Sequence, residues 1–98
     1  MRTLKETAKL LKMLSQPLRL EILCALMREE KLCVCRIADA LGVPQSTLSR
    51  NLAILRNGGF VEDSREGTMV FYRVSDERIP AIFKAVGLKC SQGSNGVQ

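Results

Sequence analysis

A mainly helical α+β fold, a winged helix-turn-helix of about five helices with a two-stranded β-wing, is predicted by three features of this 98-residue chain. Helical periodicity fills the N-terminal third. A short amphipathic segment closed by Gly42 precedes a second one in which Leu48, Leu52 and Leu55 recur at helical spacing. Two strand-like runs, Phe60-Val61-Glu62-Asp63-Ser64 and Met69-Val70-Phe71-Tyr72-Arg73-Val74, then flank the turn Arg65-Glu66-Gly67-Thr68, being rich in β-branched and aromatic residues.

Each element has its own signal. Leu4, Ala8, Leu11 and Leu14 lie along one face of a first helix that breaks at Ser15-Gln16-Pro17. A second helix runs from Leu18 to about Met27, with Leu20, Leu23, Cys24 and Met27 on a buried face and Arg19 and Arg28 outward, because i, i+3, i+4 and i+7 share a side. In the third, Val34 to Leu41, the residues Ile37, Ala38 and Leu41 point inward, and Gly42 ends it. Pro44 suits the first turn of the fourth, where a missing amide hydrogen is harmless. Ser75-Asp76-Glu77 opens a last helix through Ile79, Ile82, Phe83 and Val86, stopped by Gly87. One domain is expected over residues 1–90, and 91–98 is a polar Gly/Ser/Asn/Gln stretch expected to be disordered. Leu4, Leu11, Ile82, Phe83 and Val86 are more apolar surface than so small a core can cover, which predicts a homodimer through the first and last helices.

The fourth helix carries the functional expectation. Opposite its leucine stripe stand Ser46, Thr47, Ser49, Arg50 and Asn51, and with Gln45 they form a polar face able to enter the major groove of double-stranded DNA. Serines and threonines suit phosphate contacts, whereas Arg50 and Asn51 are suited to reading base edges. Arg65 and Thr68 on the wing can reach phosphates or the adjacent minor groove. A net charge of +5 and a pI near 9.3 fit a polyanionic partner. Catalysis lacks its parts: the chain has no histidine, and no nucleophile beside a base, Gly-rich phosphate loop or spaced carboxylate pair is evident. No apolar run is long enough to span a bilayer and no signal-peptide core is present, so a cytoplasmic location is expected.

The four cysteines fall into two pairs. Cys33 and Cys35 form a C-x-C at the start of the third helix, and in a regular helix two residues turn by about 200°, placing the sulfurs on opposite sides. They can then share one soft ion only if the backbone opens, which would reshape the support of the recognition helix. Lys31 and Arg36 flank the pair and favour thiolate. Cys24 sits on the second helix and Cys90 beyond the last. A structural disulfide is not expected in the cytoplasm, so a bridge between them would be regulatory.

Three segments, Leu14-Ser15-Gln16-Pro17-Leu18-Arg19-Leu20-Glu21-Ile22-Leu23, Leu32-Cys33-Val34-Cys35 and Leu48-Ser49-Arg50-Asn51-Leu52-Ala53-Ile54-Leu55, followed by Arg65-Glu66-Gly67 and Tyr72, resemble the ArsR/SmtB family of winged-helix repressors. The resemblance spans about Leu4 to Cys90. It implies a dimeric repressor that leaves its operator on meeting a metal, metalloid or thiol-reactive signal, with no obligatory cofactor. The matching Cys-Val-Cys motif is the family's arsenite and antimonite site, which makes As(III) or Sb(III) at Cys33 and Cys35 the first expected inducer. Two departures stand out: Ala38 occupies the place of a third cysteine, and Asn51 the place of a common histidine. The absence of histidine also leaves the last helix only Asp76 and Glu77 near its start, which does not match the family's zinc and nickel sites there. Cys24 and Cys90 resemble the pair of the thiol-redox branch, which implies the alternative of oxidant or reactive-sulfur sensing. Cadmium, lead or zinc at Cys33 and Cys35 is a further alternative, and a protein-interaction module without DNA binding is the alternative of another class.

Overall fold

Thr3 starts the first helix, α1 (Leu4–Leu14), with a reciprocal cap. Its hydroxyl accepts from the Glu6 N–H at 3.0 Å, and its own N–H donates to Glu6 Oε1 at 3.2 Å, satisfying amides that a helix end otherwise leaves open. The computed structural model describes residues 3–90; the polar stretch 91–98, expected as a tail, lies outside them. The expected single apolar stripe of α1 is in fact two. Leu10 and Leu14 are buried, whereas Leu4 and Leu11 are 92% and 54% exposed, because about 100° per residue sets them roughly a quarter turn away.

The second helix, α2 (Pro17–Glu29), begins one residue before the expected Leu18, with Pro17 in its first turn, and runs on past Met27. Its buried residues are Ile22, Leu23, Ala25 and Leu26, while Leu20, Cys24 and Met27 are half-buried. The expected face is thus rotated and broadened, since α2 packs against α1, the third helix and two strands at once. Arg19 does not point to solvent: it is half-buried, with its Nε donating to Asn51 Oδ1 on the fourth helix.

A short strand, β1 (Leu32–Cys33), precedes α3 (Val34–Leu41). Gly42 closes α3 at φ +66°, a left-handed position that suits glycine, and its N–H donates to the Ala38 carbonyl at 2.9 Å. Pro44 stands just before α4 (Gln45–Asn57) rather than inside it. Then β2 (Val61–Glu66) and β3 (Met69–Val74) pair antiparallel from Val61↔Val74 to Glu66↔Met69. The turn is therefore the two residues Gly67 and Thr68, with Gly67 at φ +66°, and Arg65 lies within β2 opposite Val70 instead of in a four-residue loop. Among the described residues the sheet has three strands in the order β1-β3-β2, one more than the sequence suggested. The last helix, α5 (Arg78–Ala85), is led in by Asp76, whose Oδ1 accepts from the Arg78 N–H at 2.9 Å.

One core joins these elements. Ile22, Leu23, Ile37, Leu48, Leu52, Leu55 and Ile79 are fully buried, ringed by Phe60, Val61, Tyr72 and Phe83. No charged or polar side chain is buried among the described residues, so burial of apolar surface holds α4 in place. No described helix is long and apolar enough to cross a membrane.

Candidate nucleic-acid interface and thiol pairs

Leu48, Leu52 and Leu55 are buried, which turns that side of α4 toward the core. Gln45, Ser46, Ser49 and Arg50 then fall on one exposed arc, about 140° wide at 100° per residue. Thr47 is half-buried at the edge of that arc. Asn51, expected on the groove face to read bases, is placed differently. It stands about 40° to 60° from Leu55 and Leu48 and about 100° from Arg50, and it is half-buried. Its Oδ1 accepts from Arg19 Nε at 3.1 Å and its Nδ2 donates to the Thr47 carbonyl at 2.9 Å. No signal in α2 or α4 alone could have revealed this pair, since the partners are 32 residues apart.

Arg56 pairs with Asp63, Arg73 with Glu62 and Arg78 with Asp76. Arg50 and Arg65 are exposed, and among the described residues neither has a side-chain partner. Thr68 is exposed in the turn of the wing. These two guanidiniums, one on α4 and one on the wing, suit contact with phosphates or base edges.

The thiols fall into the two expected pairs, with unexpected geometry. Cys33 is not helical: it is the N-cap of α3, extended at φ −78° and ψ 159°, and pairs with Phe71 in the sheet. The two-residue rotation of a helix therefore does not apply, and the Cys33 and Cys35 sulfurs lie 3.1 Å apart without any opening of the backbone. Cys33 is buried and Cys35 exposed. The thiol of Cys35, foremost, then the Arg36 N–H and guanidinium, pull Cys33 below the ordinary thiol range. The same sulfur–sulfur hydrogen bond holds the proton on Cys35 and pushes it up. Lys31 takes no part: it pairs with Glu66 and lies over the Phe71 ring, 4.9 Å from its centre. No group of three or more metal-ligating side chains occurs among the described residues; Ala38, one turn beyond Cys35, is half-buried and offers no sulfur. Cys24 on α2 and Cys90 after α5 are joined by a disulfide, with their Cα atoms 5.0 Å apart.

Residues 16–63, the segment from the start of α2 into the wing, match the model of the family described as bacterial regulatory protein, arsR family. An HTH-type transcriptional regulator of Methanocaldococcus jannaschii is 40% identical over 82 residues, covering 84% of this chain and 92% of that protein. The chain belongs to the arsR family. A further member it is similar to is the biofilm growth-associated repressor of Xylella fastidiosa, 37% identical over 83% of this chain and 70% of that repressor. Among solved structures, a homodimeric winged helix-turn-helix DNA-binding domain from Mycobacterium bovis superposes with a TM-score of 0.74 at 38% identity, covering 86% of this chain and 77% of that one. Membership and fold make the chain a DNA-binding transcriptional regulator with a winged helix-turn-helix, of which α4 is the second helix and the β2–β3 hairpin the wing.

Proposed function

We propose that this regulator is a homodimeric repressor in the cytoplasm, acting by stoichiometric binding rather than catalysis, whose grip on its operator is set by the oxidation state of Cys24 and Cys90. The observation that carries the reading is the bond between these two residues across α2 and the segment after α5. Their Cα separation of 5.0 Å is within the range that a disulfide spans, so the fold holds the two sulfurs within bonding reach. The chemistry balances with a persulfide as oxidant. One cysteine thiolate takes the outer sulfur of the donor, which leaves as a thiol. The second thiolate then attacks the bound sulfur of the new persulfide, the terminal sulfur leaves as sulfide, and the two cysteines have given up two electrons. Support for repression and dimerisation comes from the relatives, one a repressor and one a homodimeric DNA-binding domain.

A second reading, As(III) or Sb(III) at Cys33 and Cys35, is favoured by the 3.1 Å approach of their sulfurs. It needs a third sulfur from outside the described residues, such as an exogenous thiol, and ranks second for that reason. One experiment separates the two. Fluorescence anisotropy of the reduced proteins on the DNA upstream of the gene is titrated with a persulfide donor and with arsenite, using wild type, Cys24→Ser and Cys33→Ser/Cys35→Ser. Release by persulfide that Cys24→Ser abolishes and the double variant retains is expected. Release by arsenite alone, lost in the double variant, would move the sensor to the C-x-C pair.

A further inference from the structure

Arg19 is the third residue of α2 and its guanidinium is forked between two other helices. Nε donates to Asn51 Oδ1 on α4 at 3.1 Å; Nη1 donates to the carbonyl and to the sulfur of Met13 on α1, each at 3.3 Å. The orientation of the Asn51 amide is dictated by its neighbours, since a guanidinium can only donate and the Thr47 carbonyl can only accept. Through Asn51 Nδ2 the brace ends on the Thr47 carbonyl in the first turn of α4, a turn whose N-cap is Pro44 and which no side chain caps. Hydrophobic burial sets the depth of a helix well but its rotation less well, because leucine contacts are not directional. Hydrogen bonds to a planar fork are directional.

We propose that Arg19 is a positioning residue for operator recognition, which through Asn51 fixes the rotation of α4 and hence where Ser46, Ser49 and Arg50 meet the groove. The inference rests on the DNA-binding reading above. Arg19 acts from behind the recognition helix, on the side turned about 100° away from Arg50, so its effect on DNA passes through Asn51.

The test uses the duplex that wild-type protein enriches from a random-sequence pool, with an unrelated duplex as comparison. Kd and its salt dependence are measured for Arg19→Lys, Asn51→Ala and the double variant, alongside the active fraction and urea unfolding. Each single change is expected to weaken the enriched duplex about tenfold, and the double no more than either single, as for two members of one interaction. Affinity for the unrelated duplex and the slope of log K against log salt stay unchanged, since no phosphate contact is lost. Wild-type behaviour of Arg19→Lys, a slope smaller by about one phosphate contact, or additive losses would overturn the proposal. So would losses confined to active fraction and stability with Kd intact, the signature of a merely structural role. Enrichment of no duplex by wild type would overturn the DNA-binding reading itself, and this inference with it.

Discussion

A single sulfur–sulfur hydrogen bond makes Cys33 and Cys35 chemically unequal although they are two residues apart. The pair shares its protons: the first leaves early because the remaining S–H stabilises the thiolate it faces, and the second leaves late because it must part from that thiolate. With Cys24 and Cys90 bridged, only these two thiols titrate among the described residues. Thiolate absorbance followed against pH is therefore expected to rise in two separated steps, one below and one above the ordinary thiol value. Cys35→Ala removes the largest cause of the Cys33 shift, so the single remaining step is expected at higher pH than the first step of wild type. An unchanged first step in Cys35→Ala would show that the Arg36 N–H and charge hold Cys33 low without its neighbour. The sequence made the pairing of these residues legible, since C-x-C spacing survives any fold. Their approach was not legible, because it depends on Cys33 being extended, and Cys33 is extended because it pairs with Phe71, 38 positions along the chain.

At the scale of elements, the legible parts were those with a full period behind them. The span of α3 is the one its apolar spacing and Gly42 indicate, and the leucine stripe of α4 is buried as its spacing demands. By contrast β1, at two residues, is shorter than any repeat that could announce it; Asn51 was misplaced although the spacing of the leucine stripe already set it about 40° to 60° from Leu55 and Leu48, and only its partner Arg19, 32 residues away, was out of reach of local spacing. The junction between α4 and the wing turns on a feature that spacing shows only as a helix stop. Gly58 has φ −82°, open to any residue, yet a Cβ there would meet the Phe60 ring at 2.6 and 3.0 Å. Phe60 is a buried ring in the core and not the loose end of a flexible chain. Gly58→Ala is accordingly expected to destabilise by about 1–3 kcal/mol, the usual range for overpacking, measured by urea unfolding. Relief by the added change Phe60→Leu would assign the loss to this contact; a Gly58→Ala protein as stable as wild type would mean that the junction gives way freely.

For the whole molecule, the question is what covers the apolar surface that folding leaves open. Leu4 and Leu11 on α1, with Val86 and Leu88 after α5, are 92%, 54%, 71% and 37% exposed. On α1 they form a stripe separate from Leu10 and Leu14, which already serve the core. A helix that is apolar on two sides has two partners to satisfy, and the proposed dimer supplies the second. This separation gives a clean test, because the second stripe can be altered without opening the core. Leu11→Glu places a charge in the proposed interface at a residue more than half exposed in the protomer. The variant is expected to sediment as a folded monomer, with far-ultraviolet circular dichroism like that of wild type. Two half-sites bound by one linked dimer gain affinity from each other, commonly a hundredfold or more, so operator binding is expected to weaken by roughly two orders of magnitude in the monomer. Affinity for a single half-site should change little, since Arg50 and Arg65 are untouched. A Leu11→Glu protein that remains dimeric and binds the full operator as tightly as wild type would place the two-fold contact elsewhere on the chain and leave the stripe on α1 without its partner.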